Sequence, residues 1–401
     1  MNKPDQNSKP AFSGEKSERT KIGDLGKLQS GGTPSSKHPE YFAGNIPWIG
    51  TTALKGGLLD ESDAVKLITK EAVERSATKL VPAGSILVGT RVGVGKVGVN
   101  AVPMCTSQDI VSISDIDDRF WNKEYVCLAL QYEAPRLVAQ AQGATITGIT
   151  SRTLREVTIP TRKIADQTAI VTKLNSIKKS VHLAELQISH LQSLVKSRFV
   201  EMFGDPATNS HDLPIERLSD LGVLERGKSK HRPRNAPELR GGPNGPYPLV
   251  QTGDITNAGL FLSNYEDTYT EIGLRQSRMW PKGTLCITIA ANIAQTSILA
   301  IDACFPDSVV GFTPGPKIQN VFLHYWFGFF QGILEEQAPQ AAQKNINLKI
   351  LSELDVITPS IEEQQEFAAF VRQAAKLEFV AQQQIEKLQT LYDSLAQEYF
   401  G

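Results

Sequence analysis

The stretch LQSLVKSRFVEMFGD, residues 191–205, has a counterpart at the end of the chain, LQTLYDSLAQEYFG, residues 388–401. Both open Leu-Gln-x-Leu, keep apolar side chains at helical spacing, and close on an aromatic residue followed by glycine, which reads as a helix end. Upstream of the first, Ile170, Leu174, Ile177, Val181, Ala184, Ile188, Leu191 and Val195 step alternately by four and three residues. That is an unbroken heptad seam. The second ending is preceded by a weaker seam, Phe370, Ala374, Leu377, Ala381, Leu388, Leu391 and Leu395, with polar Gln384 in its gap. At 1.5 Å per residue, each helix would reach roughly 55–60 Å. Gly204 and then Pro206 stop the first.

The likeness extends through both halves. Ile22-Gly-Asp-Leu-Gly26 matches Leu218-Ser-Asp-Leu-Gly222, Ile46-Pro-Trp-Ile49 matches Tyr247-Pro-Leu-Val250, and Pro82-Ala-Gly-Ser-Ile86 matches Pro281-Lys-Gly-Thr-Leu285. Cys105 pairs with Cys304, Asp109-Ile-Val111 with Ser308-Val-Val310, and Ile164-Ala-Asp-Gln167 with Ile361-Glu-Glu-Gln364. One such pair arises by chance, but a collinear series does not. The chain is a tandem duplication.

Each copy opens with a zone rich in Gly, Pro, Thr and short β-branched runs such as Ser85-Ile-Leu-Val-Gly-Thr90 and Leu285-Cys-Ile-Thr-Ile289, which predict short strands joined by turns. A long helix follows. The expected fold is therefore α+β: two tandem-repeat α/β globular domains, and two long helices forming an antiparallel coiled coil. The boundaries read as a polar tail over 1–20, a globular domain over 21–160, a helix over 161–205, a linker over 206–216, a second globular domain over 217–359 and a helix over 360–401.

With 42 Lys and Arg against 43 Asp and Glu, the net charge of −1 gives no global attraction to nucleic acid, so any such surface must be local. No apolar run approaches the ~20 residues of a membrane span, and the first 20 residues lack the apolar core of a signal peptide. The four cysteines, Cys105, Cys127, Cys286 and Cys304, form no C-x-x-C pair, which suits reduced thiols in a cytoplasm.

Catalytic motifs are not found. Gly93-Val-Gly-Lys-Val-Gly98 matches G-x-G-x-x-G, but Val99-Asn-Ala-Val-Pro103 follows where a phosphate-facing helix would be needed. A β-hairpin with a basic tip is the better reading, because the equivalent stretch, Ala290-Ala-Asn-Ile-Ala-Gln295, has no glycine. The six histidines make no metal-binding pattern, and no nucleophile elbow, P-loop or N-P-P-aromatic methyltransferase motif occurs. The expectation is a chain without catalytic or metal-ligating residues.

Polar and basic side chains instead gather at predicted loops. The first copy offers Thr33, Ser35, Ser36 and Lys37, then Thr51, Thr52 and Lys55, then Arg91 and Lys96 on the hairpin. The second offers Arg226, Lys228, Lys230, Arg232 and Arg234, with Gln251, Thr252, Asn292 and Lys344. Such a run is commonly only a solvated loop. Here, though, the basic run occupies the repeat position of Ser30-Gly-Gly-Thr-Pro34, and Lys, Arg, Asn, Gln and Thr are the types that contact phosphates and base edges.

Gly23-Asp-Leu25, Ser30-Gly-Gly-Thr-Pro-Ser35, Pro39-Glu-Tyr41 and Gly44-Asn-Ile-Pro-Trp-Ile49 resemble the opening of a target recognition domain from the specificity (S) subunits of type I restriction-modification enzymes. Gln343-Lys-Asn-Ile-Asn347 with Ile361-Glu-Glu-Gln364, and Leu391-Tyr-Asp-Ser-Leu395, are similar to the family's exit from the second recognition domain and its closing helix. The resemblance runs from about Lys21 onward. In the first half, Gln142-Gly-Ala-Thr-Ile-Thr147 and Thr161-Arg-Lys163 depart from the family's usual wording.

The resemblance implies that two recognition domains each read half of a split, asymmetric site in double-stranded DNA, with the coiled coil separating them. It also implies two methyltransferase (M) subunits and two restriction and translocation (R) subunits as partners. S-adenosylmethionine, ATP and magnesium are then expected on those partners and no cofactor on this chain, in a prokaryotic cytoplasm. Two rivals remain: a single-chain enzyme with a fused methyltransferase, and a duplicated-domain scaffold that binds polypeptide without DNA readout.

Overall fold

The computed structural model describes residues 18–141, 148–230, 233, 236–290, 293–329 and 346–401. Most of the expected tail, the first half's Gln142–Thr147 and the start of the Gln343 motif lie outside these residues. The chain divides into two compact units. One runs up to residue 183 and includes 384–401; the other holds 184–383.

In the first unit, a five-stranded sheet has the order Lys27–Ser30, Ile110–Ser114, Ile86–Gly89, Val97–Asn100, Leu58–Leu59. A four-stranded sheet has the order Lys66–Ile68, Ile46–Ile49, Met104–Thr106, Leu80–Val81, and Arg19–Lys21 pairs with Thr158–Pro160. The second unit repeats the pattern strand for strand. Its five-stranded sheet is Gly222–Arg226, Val309–Pro314, Leu285–Thr288, Thr296–Leu299, Phe261–Leu262. Its four-stranded sheet is Asp267–Tyr269, Tyr247–Leu249, Ala303–Cys304, Met279–Trp280, and Ile215–Arg217 pairs with Asp355–Ile357.

The central strands are buried on both faces, which is why they read as continuous apolar runs rather than alternating ones. Ile86 and Val88 enter one core with Tyr125, Leu128 and Leu174, while Leu87 enters another with Ile49, Met104 and Ile110. In the second unit Leu285 and Ile287 pack with Phe199 and Phe322, and Cys286 faces Trp280 and Phe305. Successive side chains go to opposite faces of the sheet, as the pleat requires.

Two 40-residue helices, Ile164–Phe203 and Ile361–Phe400, are each shared between the units. Within the first unit they run antiparallel: Lys173 lies by the Tyr399 ring and Lys178, further along its helix, by the earlier Tyr392. Arg162 Nη2 also donates to the Tyr399 carbonyl at 2.9 Å. Within the second unit Arg198 Nη2 donates to Glu366 Oε1 at 2.9 Å, and the Phe199 and Phe203 rings pack edge-on against Phe367.

The first helix buries Ile170, Leu174, Ile177, Ala184 and Val195 and half-buries Val181, Ile188 and Leu191. In the second helix the expected Ala374, Ala381, Leu388 and Leu395 do turn inward, but the alternate positions lie one residue later than expected. Leu377 and Leu391 are 50% and 46% exposed, and Phe370 is only half-buried. The inward positions are Phe367, Val371, Ala374, Glu378, Ala381, Ile385, Leu388, Tyr392, Leu395 and Tyr399, again in steps of four and three. Phe370, Leu377 and Leu391 were expected where Val371, Glu378 and Tyr392 stand, because a glutamate and a tyrosine do not read as seam residues beside an adjacent leucine. Desolvation raises the Glu378 pKa, as expected for a carboxyl turned toward an apolar interface.

The start of each long helix is held by the same device. Gln167 Oε1 accepts from the Asn122 N–H at 2.8 Å, and its Nε2 donates to the Phe120 and Arg162 carbonyls, both at 2.8 Å. Gln364 Oε1 accepts from the Gln319 N–H at 2.9 Å, and its Nε2 donates to the Lys317 and Pro359 carbonyls, both at 2.9 Å. Both glutamines are fully buried. Each ties its helix to the segment that leads into the helix Lys123–Gln140 or Asn320–Phe327.

Candidate nucleic-acid interface

In the first unit the loop after Lys27–Ser30 is pinned from below. Gly31 N–H donates to the Ile110 carbonyl at 2.9 Å, Gly32 N–H to Thr106 at 2.9 Å, and Trp48 Nε1 to the Gly32 carbonyl at 3.0 Å. A Cβ on Gly31 would lie 2.2 Å from the Ser107 carbonyl oxygen, so the Gly-Gly pair serves packing, not a ligand. Thr33, Ser35, Ser36 and Lys37, which follow, are exposed.

The G-x-G-x-x-G stretch is the tip of a hairpin between Ile86–Gly89 and Val97–Asn100, not a phosphate cradle. Gly95 has φ of 81°, and a Cβ there would sit 2.3 Å from Ala134 Cβ. The tip carries Arg91 and Lys96, both exposed. Arg91 lines a cavity of about 530 Å³ with Ser30, Gln108, Thr150 and Ser151, and its Nη1 stands 3.8 Å from Asp109 Oδ1. Lys96 lines a shallower hollow with Lys55 and Gln131. Thr52 is exposed, but Thr51 is only 7% exposed and packed in the core, so it drops out of the contact set.

In the second unit Lys228 and Lys230 are exposed. Arg226 is exposed yet engaged: its Nε and Nη2 donate to the Asp307 carbonyl at 3.0 and 2.7 Å. Gln251 stands at the head of the helix Thr252–Asn257, where its N–H donates to Asp254 Oδ2 at 2.7 Å; its side chain is exposed and Thr252 is half-buried. Arg232, Arg234, Asn292 and Lys344 lie outside the described residues. The sequence reading missed Gln108, Thr150 and Ser151, hydroxyl and amide side chains brought beside Arg91 only by the fold.

Burial pushes the Cys127 thiol up to about 12 and the Cys304 thiol up to about 11, the behaviour of core cysteines. Among the described residues no group of three or more His, Cys, Asp or Glu could hold a metal ion, and no helix is long and apolar enough to cross a membrane.

The family model of the type I restriction modification DNA specificity domain matches this chain twice, over residues 14–191 and 216–390. The chain belongs to that family of specificity subunits. Over 225 residues it is 27% identical to the MjaIX specificity subunit of Methanocaldococcus jannaschii, covering 52% of each chain. Over 192 residues it is 30% identical to the EcoR124I/EcoR124II specificity subunit of Escherichia coli, covering 44% of this chain and 47% of that one. The chain thus spans about half the length of these curated relatives.

Two solved structures share the fold of this specificity subunit. The S subunit of a type I system from M. genitalium aligns with a TM-score of 0.55 at 16% identity, over 98% of both chains. A chain from a structure on complex assembly and conformational transition of the type I R-M system aligns with a TM-score of 0.63 at 15% identity, over 97% of this chain and 99% of that one. The two matches to the family model correspond to the two copies of the sheet pattern, and the loops described above belong to the copies of a DNA specificity domain.

Proposed function

We propose that each unit reads one half of a split site in double-stranded DNA, and that the chain brings methyltransferase and restriction subunits to that site without catalysing anything itself. The observation that carries this reading is a sheet pattern repeated strand for strand beneath loops that differ. At one repeat position stand Thr33, Ser35 and Lys37, at its equivalent Lys228 and Lys230. A constant frame with divergent exposed loops suits two half-sites of different sequence.

Exposed apolar side chains on the long helices support the scaffold role. Leu377, Phe379, Val380 and Leu391 on the second helix, and Leu183, Leu186 and Leu194 on the first, lie outside the seam and in solvent. Apolar residues beside a filled seam suit helices of a partner completing a larger bundle. Methyltransferase subunits are the partners that need such fixed placement. S-adenosylmethionine, ATP and magnesium belong to the partner subunits in this reading, and the complex works in a prokaryotic cytoplasm.

Long-read methylation mapping of a host carrying this subunit and its partners tests the split site: two defined half-sites with a spacer of any bases are expected, and one continuous motif would refute it. The stringently purified chain, supplied with S-adenosylmethionine, ATP and magnesium, is expected to show neither methyl transfer nor cleavage; turnover that follows the protein peak would contradict that. Replacing Lys228 and Lys230 with Ala is expected to weaken duplex binding and to flatten the dependence of log K on log salt by about 0.9 for each phosphate no longer neutralised. A duplex affinity insensitive to salt in the unmodified chain would favour a polypeptide-binding scaffold instead.

A further inference from the structure

Strand register makes positions of the two units directly comparable. Ser30 pairs with Val111 and Arg226 with Val310, so Ser30 and Arg226 are equivalent positions. Gly89 pairs with Ile110 and Thr288 with Val309, so two residues on, Arg91 corresponds to Ala290. Each unit therefore has one arginine at this pair of positions, but not at the same member. The pair is serine and arginine in the first unit, arginine and alanine in the second.

Both arginines reach the same turn. Ile110 N–H closes it onto the Ser107 carbonyl at 3.1 Å, and Val309 N–H onto the Pro306 carbonyl at 3.0 Å. Arg91 arrives from the hairpin and lies against Asp109; Arg226 arrives from the end of the first strand and donates to the Asp307 carbonyl. In Arg226 those two donors are the Nε–Nη2 edge. The outer end, Nη1 and the second hydrogen of Nη2, has no partner among the described residues and belongs to an exposed side chain. A guanidinium fixed along one edge, with its outer fork free, suits bidentate capture of two oxygens on one phosphorus.

We propose that Arg91 and Arg226 are functionally equivalent anchors, each gripping a backbone phosphate of its half-site and thereby setting the register of its unit on the duplex. The proposal rests on the DNA-reading role above. The loops that differ between the units suit base reading, whereas a charge kept at one point of the fold from two different sequence positions suits a contact common to any sequence. Phosphates are that common feature.

The test measures duplex binding across a salt series, using the full chain in the complex in which it purifies, with its mapped site and with a scrambled duplex. Arg91→Ala and Arg226→Ala are each expected to weaken both duplexes by the same factor, on the order of tenfold, and to reduce the salt slope by about 0.9. Both side chains are exposed, so melting temperatures should stay unchanged. Relocation is the decisive arm: Ser30→Arg added to Arg91→Ala should regain slope and affinity, as should Ala290→Arg added to Arg226→Ala. An unchanged slope in the single variants, or no rescue on relocation, overturns the anchor while leaving DNA reading intact. Weakening confined to the mapped site also overturns it, because that is base readout. If the unmodified complex binds neither duplex, the DNA-reading role itself falls, and the anchor with it.

Discussion

Replacing Gln167 with leucine is expected to lower the stability of the first unit by about 2–3 kcal/mol, and Gln364→Leu to do the same to the second. Leucine matches glutamine in size, so the effect isolates hydrogen bonding from packing. In the first unit the substitution leaves the Asn122 N–H without its acceptor and the Phe120 and Arg162 carbonyls without their donor. Orphaning a buried polar group costs about 1–3 kcal/mol, and the apolar gain from the new leucine offsets only part of three such penalties. For a unit of this size the melting temperature should fall by roughly 4–12 °C. Because the clamps sit in separate units, hydrogen exchange should quicken around residues 120–125 and the start of Ile164–Phe203 in one variant, and around 317–323 and the start of Ile361–Phe400 in the other. Equal loosening of both units by either variant would show that the clamps are not local.

These glutamines also show where reading the sequence stops. The match of Ile164-Ala-Asp-Gln167 to Ile361-Glu-Glu-Gln364 exposes the duplication, yet nothing in either tetrapeptide says that the glutamine points inward. A polar residue one turn into an amphipathic helix looks solvated until the segments around residues 120 and 317 are folded over it. The duplication, the strand runs and the first seam were legible because they rest on spacing, which survives without coordinates. Half of the second seam, Ala374, Ala381, Leu388 and Leu395, was legible too, but its alternate positions were placed one residue early because Glu378 and Tyr392 stand beside more apolar Leu377 and Leu391. In the interface, exposed loops were legible as polar clusters, but the burial of Thr51, the engagement of Arg226 and the gathering of Gln108, Thr150 and Ser151 beside Arg91 depend on contacts between distant segments. Arg91 and Arg226 do not align in sequence, so only strand register brings them to one place.

The corrected seam makes an unequal pair of expectations for the second unit. Phe199 is fully buried, stacks on Phe322 with ring centroids 5.3 Å apart, and meets Phe203 and Phe367 edge-on at 5.1 and 5.4 Å. It joins a long helix, the helix Asn320–Phe327 and the start of the second long helix in one core. Phe199→Ala removes that ring from a close-packed site and is expected to cost about 3–5 kcal/mol, the range for truncating a buried phenylalanine. Leu377→Ala, by contrast, is expected to cost below ~1 kcal/mol, because the side chain is half in solvent and helix propensity favours alanine slightly. Were Leu377 in the seam, its truncation would cost about 2–5 kcal/mol instead. Denaturant unfolding of the two variants separates these cases, and Glu378→Leu sharpens the contrast. Filling a desolvated seam position with an apolar side chain should leave stability unchanged or raise it, whereas in the earlier register Glu378 would be a solvated residue and leucine there would do nothing for stability. A large destabilisation by Leu377→Ala together with no gain from Glu378→Leu would restore the register read from the leucines and remove Val371, Ile385 and Tyr392 from the interface.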